Sequence, residues 1–489
     1  MRHAISRLLL LVATLAAFQA SAAPRAAHVA RRLFVLPDDS RFVGEIGRLA
    51  VPETDKPHAR QIDIAFARLR STSAHPGPPI FWVDGGPGAS SIDGFVEKAK
   101  MIAMLREYGD VIAVDQRGGG DSEERLDCLD RWNIPVDRAI TRRDVIDDTR
   151  RIFRKCAAEW RAAGADLDGY NSAAYADDLF RVADALGYGK IRLYAFSYGT
   201  QIALAALARH PQRLDRVAVF GVMGLDDSLR PPAALDEVLK RGGDMLAASS
   251  AGKAYPRLEV LAAAVAKVDR APIMFAPGTI TTKVAGPVAI DGAALRAAIL
   301  TDLGSRAKIG GLPRLLDAIV AGKDLAPLHD ELKAIVDDML WERRGPAQRR
   351  NALQQYATVC ASGISALARA ALIAGRSATV IGQPMHYGLP EACDALGVAD
   401  VGEALRAAPA PTVPILLVGG TIDIKTPLAQ AQAVAKRYPQ ATLVTIAGAA
   451  HNDLTVRPEV IPDVRTFLEG RPVSAHRIEL DPIQFAPPL

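Results

Sequence analysis

The stretch Ile191-Arg192-Leu193-Tyr194-Ala195-Phe196-Ser197-Tyr198-Gly199-Thr200 runs from an apolar segment through a serine and a glycine into an Ala- and Leu-rich segment, 200–209. Its pattern is that of a buried strand, a tight turn and a helix. A strand that turns this sharply into a helix strains its corner residue and lifts that side chain above the sheet. The corner residue is Ser197. Small residues two positions to either side let strand and helix approach. Gly199 supplies one, and Ala195 stands where the G-x-S-x-G pattern has its first glycine. Ser197 is therefore the candidate nucleophile.

Short and nearly continuous apolar runs recur on both sides of this stretch, at 79–83, 110–114, 216–222, 415–418 and 442–446. Such runs suit strands buried on both faces of a parallel sheet. Helical patterns lie between several of them, at 175–186 and 200–209, and this alternation predicts an α/β architecture. Residues 42–51 and 60–70 alternate polar and apolar and read as an antiparallel hairpin. The alternation lapses between about 226 and 405, where the chain reads as mainly helical with one extended stretch at 273–290. The expected organisation is a core in two parts, 23–225 and 406–470, with a helical cap at 226–405 inserted between them. The segment 471–489 reads as a poorly ordered tail.

A serine hydroxyl needs a base, and the base needs an orienting carboxylate. Five histidines follow Ser197: His210, His329, His386, His451 and His476. His451 comes just after an apolar run, in Ala447-Gly448-Ala449-Ala450-His451, at the kind of strand end where functional groups collect in open α/β sheets. His210 reads as the C-terminal cap of the helix that begins after Ser197. Asp423 follows the run 414–420 and is the sole acidic residue between Val413 and His451. The order Ser197, Asp423, His451 gives nucleophile, acid and base.

An oxyanion that develops during acyl transfer wants preorganised backbone N–H groups. Tyr198, directly after the nucleophile, offers one. The loop Val83-Asp84-Gly85-Gly86-Pro87-Gly88, a strand end followed by glycines, offers the other. No Gly-Lys-Ser/Thr follows that loop, so it is not a phosphate-binding P-loop. The run Asp115-Gln116-Arg117-Gly118 follows another strand; Asp115 and Arg117 are expected to pair and support the loops beneath the site.

Arg2 and Arg7, the apolar run 8–18 and Ala20-Ser21-Ala22 form the pattern of a cleaved secretory signal, residues 1–22. The run is shorter than the roughly 20 apolar residues that a bilayer span needs. The mature chain is expected to be periplasmic or secreted, with no stable membrane span. The four cysteines agree with export; Cys128 with Cys156 and Cys360 with Cys393 would each close a short local loop. None has metal-ligand spacing. A net charge of +4, with Lys and Arg scattered among 55 acidic residues, gives no concentrated basic face for nucleic acid.

Taken together, Gly85-Gly86-Pro87-Gly88, Asp115-Gln116-Arg117-Gly118, Ser197-Tyr198-Gly199-Thr200, Asp423 before Thr426-Pro427, and His451 resemble the prolyl iminopeptidase and tripeptidyl aminopeptidase family of α/β-hydrolase serine peptidases. The resemblance covers about 40–225 and 406–470. It implies an α/β-hydrolase fold with an inserted cap, a peptide or small acyl substrate, and no metal or organic cofactor. It implies removal of N-terminal residues through an acyl-enzyme on Ser197, with acidic cap residues such as Asp226, Asp227, Glu331, Asp337 or Glu342 binding the free amine. Two positions depart from the family pattern: Asp84 where a histidine is usual, and Ala195 where a glycine is usual. Two other readings stand beside the peptidase. One is an esterase or other acyl hydrolase on the same scaffold; the other is a non-catalytic binding protein.

Overall fold

The computed structural model describes residues 28–35, 41–122, 126, 128–228, 232–247, 257–345, 352–375, 379–380, 388–455, 457–487 and 489. The expected signal segment 1–22 lies outside them.

Ten of the described strands form one sheet. They are β1 (His28–Val35), β2 (Arg41–Pro52), β3 (Gln61–Leu69), β4 (Ile80–Val83), β5 (Val111–Val114), β6 (Ile191–Phe196), β7 (Leu214–Phe220), β10 (Ile415–Gly420), β11 (Ala441–Ala447) and β12 (His476–Glu479). Their spatial order is β1-β2-β3-β5-β4-β6-β7-β10-β11-β12. The alternating segments pair as the expected antiparallel hairpin, with Leu49 opposite Ile64. From β5 onward the strands are parallel. The remaining two strands, β8 (Ile273–Phe275) and β9 (Val288–Ile290), pair antiparallel within the cap and account for its extended stretch.

The central strands are apolar throughout because both of their faces are covered. Successive side chains point to opposite sides of a strand. Phe81, Leu193, Val217 and Leu417 pack with Leu179, Val182, Ile202 and Val434 from helices on one side. Trp82, Tyr194, Ala218 and Leu416 pack with Ile92, Phe95, Val464 and Phe467 on the other. Two helix layers thus hold the sheet rigid, and functional loops emerge at the carboxyl ends of its strands.

The region after β7 is mainly helical, with its own core built from Leu261, Leu295, Leu316, Leu332 and Val336. Ile422, Ile424 and Ala450 belong to that same cluster. The loops carrying Asp423 and His451 are therefore pinned between the cap and the sheet. Both disulfides pair as expected, Cys128–Cys156 and Cys360–Cys393. Closing loops of 28 and 33 residues removes chain entropy from the unfolded state, worth about 3.5 kcal/mol each. The helix Arg142–Ala162, within the stretch read as core, packs on the cap helix Leu389–Leu396. Among the described residues no single helix is long and apolar enough to cross a membrane.

Two expectations are corrected. The segment from 471 is not a poorly ordered tail: β12 adds a parallel strand to β11, and Ile483 is buried in the cap core. Arg306 donates to the Asp481 carbonyl, and the Ala486 N–H donates to Gly310 O. The strand escaped notice because His-Arg-Ile-Glu at a largely exposed edge has no apolar alternation; pairing with β11, Ile478 packed on the core and His476 on Asp463 hold it. Asp115 and Arg117 do not pair either. Arg117 reaches Asp178 instead, with both side chains buried. Asp115 accepts from the Ile92 and Asp121 amides and from Ser90. The two residues, separated by Gln116 on the loop after β5, serve different helices: Asp115 the helix Ser91–Glu97 and Arg117 the helix Ser172–Ala185.

Candidate active site

Ser197 sits between β6 and the helix Tyr198–Arg209 with φ 56° and ψ −126°. Positive φ costs a non-glycine residue of order 1–3 kcal/mol and persists only where the surroundings impose it. Here the Ser197 N–H donates to Phe220 O of β7 at 2.9 Å. The Ser197 carbonyl accepts from the Thr200 N–H and from the Thr200 hydroxyl. Glycine is required beside it. A Cβ on Gly199 would lie 2.3 Å from Val83 O, and one on Gly85 would lie 2.8 Å from the Ser197 Cβ. Ala195 is buried within β6 between Val83 and Val219 and leaves this turn intact.

Three strand ends bring the predicted residues together. His451 Nε2 is 3.0 Å from Ser197 Oγ, and His451 Nδ1 is 2.9 Å from Asp423 Oδ2. Asp423 is fully buried, and its carboxylate also accepts from the Lys425 and Thr426 amides and the Thr426 hydroxyl. Burial opposes its charge, but His451 and the Thr426 donors outweigh that and hold its pKa below the ordinary value. The Phe196 ring lies 4.7 Å from the imidazole, centroid to centroid, and limits its tilt. Asp453 steadies the loop by accepting from the Ala450 amide at 3.0 Å.

The glycine loop presents its amides at the same corner. Gly86 has φ 107°, and its N–H has no acceptor among the described residues. Tyr198 is the first residue of its helix, where a backbone N–H lacks an intrahelical partner. Gln116 fixes the loop, accepting from the Gly88 amide at 2.8 Å and donating to Gly85 O at 2.9 Å. The sequence placed Gln116 in a supporting run but did not single it out. Asp84 accepts from the Gly85 amide at 2.8 Å and from the Trp82 indole at 3.4 Å. Burial raises its pKa.

The other histidines stand elsewhere. His210 caps its helix and hydrogen-bonds Asp177 at 2.7 Å, His329 opens a cap helix, and His476 pairs with Asp463. His386 lies outside the described residues. Among the carboxylates considered for an amine, Asp226 is taken by Ser365 and Asp337 by Lys283 and Lys333. Glu331 and Glu342 lie on the cap helix His329–Arg344. Asp227 is on the loop after β7, which Gln201 and Thr200 tie to the helix following Ser197. Its carboxylate accepts from the Gly224 amide, and burial raises its pKa.

Two family models match the chain. One, described as the alpha/beta hydrolase fold, matches 78–244 and takes in the glycine loop and Ser197. The other, described as TAP-like protein, matches 378–472 and takes in Asp423 and His451. The chain is similar to YuaR of Escherichia coli, 29% identical over 34% of this chain and 32% of that protein. It is also similar to the serine protease Hip1 of Mycobacterium tuberculosis, 26% identical over 36% of this chain and 35% of that protein. The chain thus spans about a third of the length of these relatives. Among solved structures, the proline iminopeptidase of Mycobacterium smegmatis is 18% identical, with TM-score 0.42, covering 86% of this chain and 98% of its own. A thermophilic esterase from Thermogutta terrifontis is 17% identical, with TM-score 0.38 and the same two coverages.

Proposed function

We propose that this chain, which has the α/β-hydrolase fold, is an exported serine peptidase that removes N-terminal residues or short peptides. The observation that carries the reading is the continuous chain Ser197 Oγ to His451 Nε2 to His451 Nδ1 to Asp423, at 3.0 and 2.9 Å. His451 takes the Ser197 proton as the hydroxyl attacks the scissile carbonyl. Asp423 holds the imidazole in the tautomer that leaves Nε2 free to accept, and stabilises the imidazolium that follows. The amides of Gly86 and Tyr198 receive the oxyanion. His451 then returns the proton to the leaving amine, and water repeats the cycle on the acyl-enzyme.

Asp227 is the carboxylate assigned to the substrate's free amine, because its loop is tethered to the helix that follows the nucleophile. The serine protease Hip1 and the TAP-like family match support peptides over simple esters as substrates. The two disulfides fit an oxidising compartment, as export requires.

A substrate panel tests the reading. Hydrolysis of aminoacyl-arylamides with a free amine, little hydrolysis of their N-acetylated forms, and poor turnover of simple esters are expected. Turnover of esters with no arylamide cleavage would replace the peptidase by an esterase.

A further inference from the structure

Tyr198 contributes its backbone N–H to the proposed oxyanion site, yet its side chain enters a sealed polar pocket that the mechanism does not use. The phenol hydroxyl is 2.9 Å from Ser172 Oγ. Ser172 Oγ in turn donates to Gln201 Oε1 at 3.1 Å, and the Ser172 N–H donates to Ser362 Oγ at 3.1 Å. The two serine hydroxyl oxygens are 2.9 Å apart, and Ser362 donates to Thr358 O at 2.9 Å. Tyr198, Ser172, Gln201, Thr358 and Ser362 are all fully buried.

Ser362 is not a core residue. It ends the cap helix Ala352–Ser362, in the same turn as Cys360, which is bonded to Cys393. The chain just beyond it is seated against the loop after β7: the Ser228 N–H donates to Gly363 O, and the Ser365 N–H donates to Asp226. A Cβ on Gly363 would lie 1.8 Å from Ser228 Oγ, so this contact has no slack.

We infer that Ser172 and Ser362 are positioning residues, through which the disulfide-held cap helix fixes the Tyr198 phenol and hence the Tyr198 amide. The inference rests on the serine-hydrolase reading, since without an oxyanion the amide has nothing to receive. A buried hydrogen-bonded network of this kind specifies one side-chain arrangement, because leaving any member unpaired is costly. A hydroxyl lost from Ser362 frees the phenol to shift, and the peptide unit between Ser197 and Tyr198 moves with it.

The test measures the second-order rate at which a fluorophosphonate probe labels Ser197, across pH, in the wild type and three variants. Ser362→Ala approaches the network from the cap and Tyr198→Phe from the core, so one variant serves if the other does not fold. Thr358→Val is the control. Its hydroxyl lies in the same buried helix but meets Tyr175, at 2.8 Å. Ser362→Ala and Tyr198→Phe are expected to label about tenfold more slowly, less than the ~10²–10³ of a deleted oxyanion donor, with Thr358→Val within about twofold of wild type. The pH midpoint of labelling should stay in place in all three. Labelling of Ser362→Ala and Tyr198→Phe at the wild-type rate would overturn the inference. So would equal slowing in Thr358→Val, or a pH midpoint that moves with the rate. A folded wild type that does not label at all overturns the hydrolase reading itself, which distinguishes the two failures.

Discussion

At the scale of single residues, Asp423 and Gly199 have roles that geometry makes separable. Asp423 holds His451 Nδ1 at 2.9 Å and is itself held by Thr426 and Lys425. An amide at this position keeps the shape but offers the imidazole the wrong partner. Asp423→Asn is expected to leave thermal stability close to wild type and to lower kcat by about 10⁴, as loss of the correct tautomer does in such triads. Steady-state kinetics beside a melting curve check both halves. Gly199 stands 2.3 Å, by its missing Cβ, from a main-chain oxygen of β4 that cannot step aside. Gly199→Ala should therefore destabilise the fold by about 1–3 kcal/mol in denaturant titrations and slow catalysis by shifting the Ser197 corner. Much of this scale was legible in the sequence. Ser197, Asp423 and His451 follow strand ends, and strands buried on both faces announce themselves as apolar runs. Gln116 was not singled out, because its role comes from a partner distant in the chain, the glycine loop. Asp115 and Arg117 misled for the same reason: closeness in the chain does not make two loop side chains meet.

At the scale of elements, the loop after β5 supports the loop after β4. Asp115 is buried beneath it, and its pKa is raised to about 6 by burial, against the donors Asp121 N, Ile92 N and Ser90. A carboxyl whose pKa is raised on folding is protonated in the folded chain while the unfolded chain is already ionised. The folded state then binds more protons, and stability falls as pH rises from about 4 to about 6 and levels off above. A rise of that size corresponds to about 2–3 kcal/mol. Asp115→Asn lacks this titration. The wild type should lose about that much stability relative to the variant between pH 4 and 6 in paired denaturant titrations. A constant difference over the range would show that the carboxyl does not titrate there. The hairpin of β2 and β3 was readable because polar and apolar residues alternate along much of it, although Ile64–Leu69 of β3 are buried throughout. The edge strand β12 was not, since its side chains are largely exposed and carry no period.

At the scale of the whole molecule, the cap and the sheet share the loop that presents His451. Arg306 of the cap donates to Gly448 O, three residues before His451, and to Asp481 O beyond β12. The Asn452 N–H donates to Gly304 O of the cap at 2.9 Å. One arginine thereby joins the cap, the His451 loop and the segment after β12. Arg306→Ala leaves those carbonyls without their donor and is expected to cost about 1–3 kcal/mol. Activity should fall with a smaller change in KM than in kcat, because the base and not the substrate pocket loosens. Kinetics and thermal unfolding of the same preparation check this. The two-part core was visible in the sequence as apolar runs that stop near 225 and resume at Val413. The interior of the cap was not, because amphipathic helices of similar pattern pack in many ways, and only contacts made at long range decide between them.

Everything proposed for this site depends on Ser197 being a nucleophile activated by His451. Mass spectrometry after treatment with a fluorophosphonate probe tests it most directly. One adduct is expected, on the peptide containing Ser197, absent in Ser197→Ala and formed far more slowly in His451→Ala. A folded wild-type protein that gains no adduct, or one that labels equally well without His451, would contradict it.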